Sequence, residues 1–414
     1  MRSRHSLRHG TTPTARTYTT GATDRKELPL KRIALLGSTG SIGTNALDVV
    51  EHLGDRLGVA SLSAGANWRL LAEQARKHRP DLVALADTKG LDSLRAALLD
   101  TGIEVLGGDD GIAAAASIET ADIALVAIVG AAGFPASFAA LNAGKPLALA
   151  NKESLVMAGE ILMRLAAEKG VPILPVDSEH SAIHQCLRSG QPGEAKRIIL
   201  TASGGPFRTF SRRHLAEATP EMALRHPTWN MGAKVTIDSA TLTNKALEII
   251  EARWLFGMPA NSIDVVVHPQ SVIHSMVEFS DGSTVAQLGM PDMRMPIQYA
   301  LTYPDRLPSN APRLDFAATK ELTFEPPDTK RFPGLLLGWQ AAAEGGTAGA
   351  VLNAANEVAV NLFLNRRIGF ADITRMAVRV MDSHHVTHPV SPEDIFEADR
   401  WAREKAEAST PTGV

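Results

Sequence analysis

Two acidic residues directly follow an apolar run in the middle of the chain. Asp177 and Glu179 stand after residues 171–176, a run that predicts a buried strand. Active sites of α/β proteins are built where strands end, and side chains two residues apart on a strand face the same side. Both carboxylates are therefore expected to point at one ion, and their hard oxygen atoms suit Mg²⁺ or Mn²⁺.

A third carboxylate is available in the segment 238–248. If this segment is helical, Asn244, Lys245 and Glu248 lie three and four residues apart on one face. A glutamate beside an amide and an ammonium group can hold a cation and an anionic substrate group together. Any one acid alone is more often a solvated surface residue, but the whole set indicates a site.

Small residues follow a second predicted strand and indicate anion binding. The segment 201–207 exposes backbone N–H groups of the kind that form phosphate-binding nests. The side chains that supply further donors for a phosphate are Ser203, Ser239, Asn244 and Lys245.

A histidine and a tryptophan lie between a proline and a glycine in the segment 226–232. This arrangement of His226 and Trp229 is typical of a mobile lid that closes over a bound substrate. A core position is an equal alternative for Trp229.

A glycine-rich motif, GSTGSIG at 37–43, follows the first predicted strand and opens a helix. Its glycines, Gly37, Gly40 and Gly43, allow the backbone to turn tightly and to approach a pyrophosphate at the helix N-terminus. A plain strand-to-helix turn is the alternative. The second predicted strand ends in the segment 61–67 without the acid that would bind the ribose of NAD, which favours NADP. Ser61, Ser63 or the nearby Arg69 would then receive the 2′-phosphate.

Composition excludes several classes of protein. The chain has 414 residues, a formal net charge of −3 and a pI near 6.5, which argues against binding to nucleic acid or to an anionic membrane through bulk charge. No apolar run approaches the roughly 18 residues of a transmembrane helix. Cys186 is the single cysteine, so an internal disulfide and a polythiolate zinc site are excluded and a reducing compartment is favoured. Without a basic partner, Cys186 is interpreted as a buried apolar residue.

The elements that position these residues predict an α/β protein with three folded parts. Apolar runs alternate with helical spacing over residues 31–176, which predicts an N-terminal Rossmann-like, doubly wound domain that binds NADPH. Residues 177–302, with a hairpin signal at Asp281-Gly282, predict a central α+β domain for catalysis and dimerisation. A proline-rich linker at 303–333 precedes a C-terminal helical bundle at 334–414.

Residues 1–30 differ from the rest of the chain because they are rich in Arg, Ser and Thr and hold no acid before Asp24. We interpret them as a disordered extension of a cytoplasmic bacterial protein. An organellar transit segment is the alternative, since it has the same compositional bias.

The motifs in series resemble those of the 1-deoxy-D-xylulose 5-phosphate reductoisomerase family. The matching stretches are GSTGSIG at 37–43, ANKESLV at 150–156, PVDSEHSAI at 175–183, TASGGPF at 201–207, HPTWNMG at 226–232, DSATLTNKALEIIEARWLFG at 238–257, HPQSVIHSMVEFSDGS at 268–283 and MPDMRMPIQYALTYP at 290–304. The resemblance implies rearrangement and NADPH-dependent reduction of 1-deoxy-D-xylulose 5-phosphate to 2-C-methyl-D-erythritol 4-phosphate, in the methylerythritol phosphate route to isoprenoids. It also implies Mg²⁺ or Mn²⁺, with Co²⁺ as a further candidate, and a homodimer.

The resemblance further implies a role for each matching residue. The metal ligands would be Asp177, Glu179 and Glu248. The catalytic residues would be Lys152, Asp177, Glu179, His226 and Glu248. The phosphosugar would contact Lys152, Ser178, Glu179, Ser203, His226, Trp229, Ser239, Asn244, Lys245 and Glu248. The cofactor would contact Gly37, Thr39, Gly40, Ser41, Ile42, Gly65, Ala66, Asn67, Asn151, Glu153 and Gly232. Family members often carry a basic residue where Ala66 stands, so its absence weakens the expected preference for NADPH.

Two other functions fit part of the pattern. An ordinary NADP-dependent dehydrogenase would explain the glycine-rich motif but needs neither three carboxylates nor a metal. A sensor that binds NADPH or a phosphosugar without catalysis would tolerate the loss of a metal ligand, yet all three acids are present. The segment 273–288 is expected to form a dimer contact, because a long apolar edge strand otherwise risks aggregation.

Overall fold

A seven-stranded sheet forms the N-terminal part of the computed structural model, which describes residues 30–229 and 231–409. The predicted extension therefore falls outside the described residues up to residue 29, as does Asn230 of the predicted lid. The strands are β1 (Lys31–Leu36), β2 (Leu57–Ala64), β3 (Leu82–Leu85), β4 (Glu104–Gly107), β5 (Ile123–Val126), β6 (Leu147–Leu149) and β7 (Ile173–Pro175). Their spatial order is β4-β3-β2-β1-β5-β6-β7 and all neighbours are parallel. The order reverses between β1 and β5, which confirms the predicted doubly wound topology.

Helices cover both faces of this sheet, and this double burial explains why its strands are apolar without interruption. Along β1, Ile33 and Leu35 pack into one core layer while Ala34 and Leu36 pack into the other. The covering helices are α1 (Ser41–His52), α2 (Trp68–His78), α3 (Leu91–Leu98), α4 (Gly108–Ser117), α5 (Phe134–Asn142) and α6 (Lys152–Lys169).

A second, four-stranded sheet follows, with the order β11-β10-β8-β9. The elements of this region are α7 (Ser178–Leu187), β8 (Ala195–Ala202), α8 (Arg212–Ala216), α9 (Pro220–Ala223), α10 (Ala233–Thr241), α11 (Thr243–Leu255), β9 (Ile263–Val267), β10 (Ile273–Phe279), β11 (Thr284–Leu288) and α12 (Arg294–Thr302). Strands β10 and β11 pair antiparallel, as the Asp281-Gly282 signal predicts. Gly282 adopts a φ of 83° in this turn, a conformation that favours glycine.

The C-terminal part is helical. Residues 303–333 hold little regular structure beyond a bridge between Val267 and Glu325. The helices that follow are α13 (Gly334–Glu344), α14 (Ala348–Leu364), α15 (Phe370–Asp382) and α16 (Pro392–Ala408). Helix α14 packs against α15 and α16 and also against α6, so the C-terminal helices support the sheet domain directly. In the described residues, no helix is both long enough and apolar enough to cross a membrane.

Candidate active site

A cavity of about 360 Å³ opens beside the carboxyl ends of the parallel strands. Its walls come from the glycine-rich loop, from the first turns of α6 and α7, from the loop after β8, from the segment before α10 and from α11. The predicted site residues among its lining are Gly40, Ser41, Ile42, Lys152, Glu153, Asp177, Ser178, Glu179, Ser203, His226, Trp229, Gly232, Ser239, Asn244, Lys245 and Glu248.

The first acidic pair lies at the start of a helix, so the argument from strand alternation was wrong. Strand β7 ends at Pro175, and Asp177 is the N-cap of α7, where its Oδ1 accepts a hydrogen bond from Ser178 N at 3.1 Å. Aspartate caps a helix well, and a glutamate such as Glu179 in the first turn is favoured by the helix dipole. The helix start, not the pleat, therefore brings both carboxylates to the cavity.

The third carboxylate lies on α11, and the predicted helical face is confirmed. Asn244 Nδ2 donates to Glu248 Oε1 at 2.5 Å, and Lys245 Nζ pairs with Glu248 Oε2. Leu242 separates α10 from α11 with a φ of 59°. This left-handed conformation costs a residue like leucine roughly 1–2 kcal/mol and lets the chain change direction before the site residues.

Two buried lysines join the acids of α7 and α11. Lys152 Nζ pairs with Asp177, lies 3.2 Å from Glu248 Oε1 and donates to Asn244 Oδ1 at 3.0 Å. Lys245 Nζ lies 2.7 Å from Glu179 Oε1 and also pairs with Glu248. Because each carboxylate has a cationic neighbour, the site holds a dense charge cluster without a large uncompensated charge.

Burial and neighbouring charges set the protonation of this cluster. Burial, with repulsion from Glu179, raises the pKa of Glu248 to about 7. Burial would also raise the pKa of Glu179, but Lys245 and Lys152 outweigh it and lower that pKa well below its ordinary value. For Lys152, burial acts to lower the pKa and the surrounding carboxylates, Asp177 first, raise it well above the ordinary value. Lys152 is therefore a cation at neutral pH.

The donor set of the cluster fits a divalent metal ion. One ligand atom each from Asp177, His180 and Glu248 lies within 4.8 Å of the others. Asp177 Oδ2 is buried and already faces the Lys152 ammonium group, which shows that this oxygen lies where a cation is stabilised. Glu179 lies in the same cavity but faces Lys245 and the Ser178 hydroxyl, which donates to Glu179 Oε2 at 2.6 Å.

His180 and Glu251 were not predicted from the sequence. His180 Nε2 donates to the carbonyl oxygen of Glu248 at 2.9 Å, and its Nδ1 lies 3.3 Å from Glu251 Oε2. Burial lowers the pKa of His180 to about 4 and raises the pKa of Glu251 well above its ordinary value. At neutral pH His180 is therefore uncharged, and its Nδ1 faces the Glu251 carboxyl group behind the acidic cluster. Only the motif PVDSEHSAI could have drawn attention to His180.

An anion-binding corner lies beside this cluster. The backbone N–H groups of Thr228 and Trp229 donate to His226 Nδ1, at 3.1 and 2.9 Å, so the ring proton is on Nε2. That proton is donated to Ser203 Oγ at 2.9 Å, which leaves the Ser203 hydroxyl proton free for an anion. Gly205 follows with a φ of 69°, and an added Cβ would lie 2.6 Å from Ser239 O.

The segment before α10 forms one wall of the cavity. Trp229 is half-buried there, with its ring centre 6.2 Å from that of His274. Met231 and Gly232 continue this wall, and Gly232 is the N-cap of α10. Trp229 is therefore a cavity residue and not part of the central core. His274 of β10 also lines the cavity and was not singled out in the sequence.

The predicted cofactor residues fall into two groups. Gly40, Ser41 and Ile42 line the cavity at the start of α1. Gly37 and Thr39 lie next to them outside its lining, and Gly43 fits so closely that an added Cβ would lie 2.3 Å from Gly37 O. The residues that lie outside this cavity altogether are Gly65, Ala66 and Asn67, which are exposed, and Asn151, which is buried as the N-cap of α6.

Two of the suggested partners of a 2′-phosphate were wrong. The Ser61 hydroxyl donates to Ala115 O at 2.6 Å, and Ser63 Oγ accepts from Gly37 N at 3.2 Å. Both serines are fully buried because both faces of β2 are covered. Arg69 is exposed beside Trp68 and remains available.

Three family models match the chain. They describe 1-deoxy-D-xylulose 5-phosphate reductoisomerase over residues 33–159, its C-terminal domain over 173–256, and a DXP reductoisomerase C-terminal domain over 288–405. Curated proteins with the name 1-deoxy-D-xylulose 5-phosphate reductoisomerase are similar over nearly their whole length. The one from Pelotomaculum thermopropionicum is 53% identical over 90% of this chain and 97% of its own, and the one from Chlorobium chlorochromatii is 52% identical over 92% and 100%.

Solved structures give the same result. The reductoisomerase of Zymomonas mobilis in complex with NADPH has a TM-score of 0.88 and 44% identity, over 93% of this chain and 100% of its own. A DOX-P reductoisomerase in complex with NADPH, fosmidomycin and magnesium has a TM-score of 0.86 and 38% identity, over 92% and 98%.

Proposed function

Because the chain belongs to the 1-deoxy-D-xylulose 5-phosphate reductoisomerase family, we propose that the cavity between the two sheets is its active site. The enzyme converts 1-deoxy-D-xylulose 5-phosphate to 2-C-methyl-D-erythritol 4-phosphate and uses NADPH and a divalent metal ion. The observation that carries the assignment of the site is the acidic cluster of α7 and α11, bound together by Lys152 and Lys245 beside the anion-binding corner.

We assign the metal to Asp177, Glu179 and Glu248, whose carboxylate oxygens suit Mg²⁺, Mn²⁺ or Co²⁺. A bound ion supplies Lewis acidity at the ketone and hydroxyl oxygens of the substrate and fixes their orientation. A relative solved with magnesium supports this assignment. Lys152 Nζ now faces Asp177, Glu248 and Asn244, and it would donate a hydrogen bond to a substrate oxygen once a bound ion takes over these carboxylates.

The substrate phosphate fits the corner formed by Ser203, His226, Ser239, Asn244 and Lys245. Backbone N–H groups donate to Nδ1 of His226, so this histidine orients Ser203 through Nε2. The hydroxyl proton of Ser203 then stays free to bind the phosphate. Binding energy from a group remote from the reacting carbons orders the site and stabilises its closed form.

NADPH would be held at the glycine-rich loop and, when bound, would supply the hydride for the reduction. No side chain caps the first turn of α1, so the backbone N–H groups of this turn are available to the pyrophosphate. Trp229, Met231 and Gly232 form another wall of the cavity and would exclude water from it when substrate and cofactor are bound. The start of α6 forms the rim of the cavity between these two walls. Asn151 Nδ2 donates to Glu153 Oε2 there and fixes the orientation of this side chain.

The experiment that tests this function follows NADPH absorbance in the presence of 1-deoxy-D-xylulose 5-phosphate, with Mg²⁺ or Mn²⁺ and again with EDTA. We expect oxidation of NADPH that stops when EDTA removes the metal. Metal-independent oxidation of another aldehyde or sugar would support an ordinary dehydrogenase. Binding of NADPH without turnover would support the sensor.

We further propose that a second copy of the chain pairs along β11 and that the dimer acts in the bacterial cytoplasm. Strand β11 stands at an edge of the four-stranded sheet, and four of its five residues are half-buried, which fits a strand that meets a partner. Burial of Cys186 raises the pKa of its thiol to about 11, so this cysteine is an unreactive core residue compatible with a reducing compartment. Light scattering should give twice the chain mass of 44.1 kDa. A monomer mass would contradict the dimer.

A further inference from the structure

A second buried charge cluster lies behind the wall formed by the segment before α10, and its centre is Lys234. The Lys234 side chain is 15% exposed, and its Nζ lies 2.7 Å from Glu153 Oε1 and 2.9 Å from Asp238 Oδ2. Glu153 and Asp238 are 6% and 1% exposed. Burial of these three charged groups costs desolvation energy. A gain in folding stability therefore does not explain the triad by itself.

The position of Lys234 in its helix is unfavourable by itself. It is the second residue of α10, whose first turn, fully described, contains no acidic residue. A cation at a helix N-terminus is opposed by the helix dipole. Burial acts to lower the pKa of Lys234, and Asp238 and Glu153 raise it above its ordinary value, so the side chain stays charged. The two carboxylates therefore hold an ammonium group at a place where the helix disfavours it.

Each carboxylate connects Lys234 to another part of the fold. Glu153 is in the first turn of α6, and its Oε2 accepts from Asn151 Nδ2 at 2.9 Å. Asp238 Oδ1 accepts from Asn356 Nδ2 of α14 at 2.7 Å. Lys234 thus joins the start of α10 to the start of α6 and to the C-terminal helices.

Lys234 stands between residues of the cavity wall. Met231, Gly232 and Val235 line the cavity, whereas the Lys234 side chain reaches Glu153 and Asp238 and is not part of the described lining. Glu153 lines the cavity on the other side and follows Lys152, which contacts the acidic cluster. A bridge between Lys234 and Glu153 therefore fixes the distance between the segment that covers the substrate and the rim that faces it.

We propose that Lys234 is a positioning residue that anchors the start of α10, with the wall residues Met231 and Gly232 before it, to the start of α6, so that this wall faces the substrate in one orientation. The inference rests on the proposed function of the cavity. Its consequence is that loss of the bridge lowers the fraction of molecules in which this wall is in place. The apparent affinity for substrate falls by the same factor, while the chemistry of the correctly assembled cavity is unchanged.

The test uses full-length variants that remove the bridge and the charge of Asp238, while Glu153 keeps its hydrogen bond from Asn151 Nδ2. Lys234→Met alone strands Asp238 and can unfold the chain, so the main variant is Lys234→Met/Asp238→Asn. Asparagine keeps an oxygen for the hydrogen bond from Asn356. Lys145→Met is the matched control, because the Lys145 ammonium also holds two oxygens, Glu119 O at 2.8 Å and Ala121 O at 2.7 Å, far from the cavity.

We expect the double variant to unfold cooperatively at a melting temperature below that of the wild type, because Glu153 loses its cationic partner. Its KM for 1-deoxy-D-xylulose 5-phosphate should rise at least about tenfold, with kcat within about threefold. Hydrogen exchange of the peptide 226–236 should be faster than in the wild type. Lys234→Arg, which keeps the charge, should bring KM back to within about threefold of the wild type, and the control should match the wild type throughout.

Several outcomes would overturn the proposal. These are unchanged KM and unchanged exchange in the double variant, a fall of kcat at constant KM, which would place Lys234 in the chemical step, and a Lys234→Arg variant no better than the double variant. If the wild type itself fails to oxidise NADPH with this substrate, the proposed function is wrong. The exchange comparison then still tests the anchor.

Discussion

Replacement of Glu248 by glutamine is the most direct test of the acidic cluster. Glu248→Gln keeps the size of the side chain and removes one charge. Burial and Glu179 already raise the pKa of Glu248 to about 7, so the fold tolerates a neutral group at this position. Lys152 keeps its pair with Asp177 and Lys245 keeps its pair with Glu179, so we expect the variant to fold.

The effect on metal affinity follows from the distances in the cluster. Lys152 Nζ and Glu248 Oε1 are 3.2 Å apart. A unit charge at that separation contributes about 5 kcal/mol at an effective dielectric constant of about 20, and a divalent ion about twice as much. Desolvation of the ion cancels most of this energy. We expect a net loss of about 3 kcal/mol, which is roughly a hundredfold in metal affinity.

The assay is a titration of Mg²⁺ at fixed NADPH and substrate, with NADPH absorbance as the readout. NADPH binding, measured separately by fluorescence, should stay within about twofold of the wild type, because Glu248 does not touch the glycine-rich loop. Glu344→Gln, at the exposed end of α13, is the control for the same chemical change. Undiminished turnover of Glu248→Gln at the wild-type Mg²⁺ concentration would refute the metal assignment.

Three further substitutions test other parts of the structure. Ala66→Arg should raise the ratio of kcat/KM for NADPH over NADH about tenfold, because a charged hydrogen bond to the 2′-phosphate contributes about 1.5–3 kcal/mol. Gly349→Ala would place a Cβ 2.0 Å from Val156 O, so α14 must move from α6, and denaturant titration should show a loss of about 1–3 kcal/mol in unfolding free energy. Burial, with Arg188 nearby, lowers the pKa of His184. The contribution of this histidine to the unfolding free energy is therefore complete above the unfolded pKa of about 6.5, and it is lost as pH falls through the folded pKa. His184→Gln should therefore flatten the decline of the melting temperature with acid.

Each of these variants has a control or a refuting result. Ala143→Arg adds the same charge at an exposed position elsewhere in the sheet domain and should leave the cofactor ratio unchanged. Gly54→Ala, whose Cβ would meet its nearest atom at 3.6 Å, should unfold like the wild type. If Gly349→Ala behaves like Gly54→Ala, the close approach of the helices is not as described. If the melting temperature of His184→Gln declines with acid as steeply as that of the wild type, His184 does not contribute to the pH dependence of stability.

Local pattern was sufficient to predict the sheet domain. The apolar run 33–36 predicts a strand that the structure extends to Lys31–Leu36, and the run 82–85 coincides with β3. Failure came at the junction 176–179, where an apolar run continues past the end of β7. There Asp177 caps a helix, so the chain leaves the strand at this residue. The spacing of apolar residues alone does not predict where that change occurs.

The partners of the site residues were not predictable in the same way. Lys152 is 92 residues from Asn244 and 96 from Glu248, so no spacing rule connects them. Ser61 and Ser63 were assigned to a phosphate because their types are suitable, but the burial of β2 decides their partners. Nothing in the sequence indicated a role for Lys234, since a single lysine near the start of a helix is an ordinary surface residue until tertiary contacts surround it with carboxylates.

The start of α6 shows how one short segment serves both charge clusters. Successive residues of a helix point about 100° apart, so Lys152 and Glu153 must face different neighbours. Lys152 reaches the acidic cluster of α7 and α11, while Glu153 reaches Lys234 at the base of α10. Asn151 sets the direction of both, because its Oδ1 accepts from Ser154 N at 3.1 Å and its Nδ2 donates to Gly130 O at 3.0 Å and to Glu153. The orientation of this one helix start therefore couples the position of Lys152 in the acidic cluster to that of the cavity wall at the start of α10.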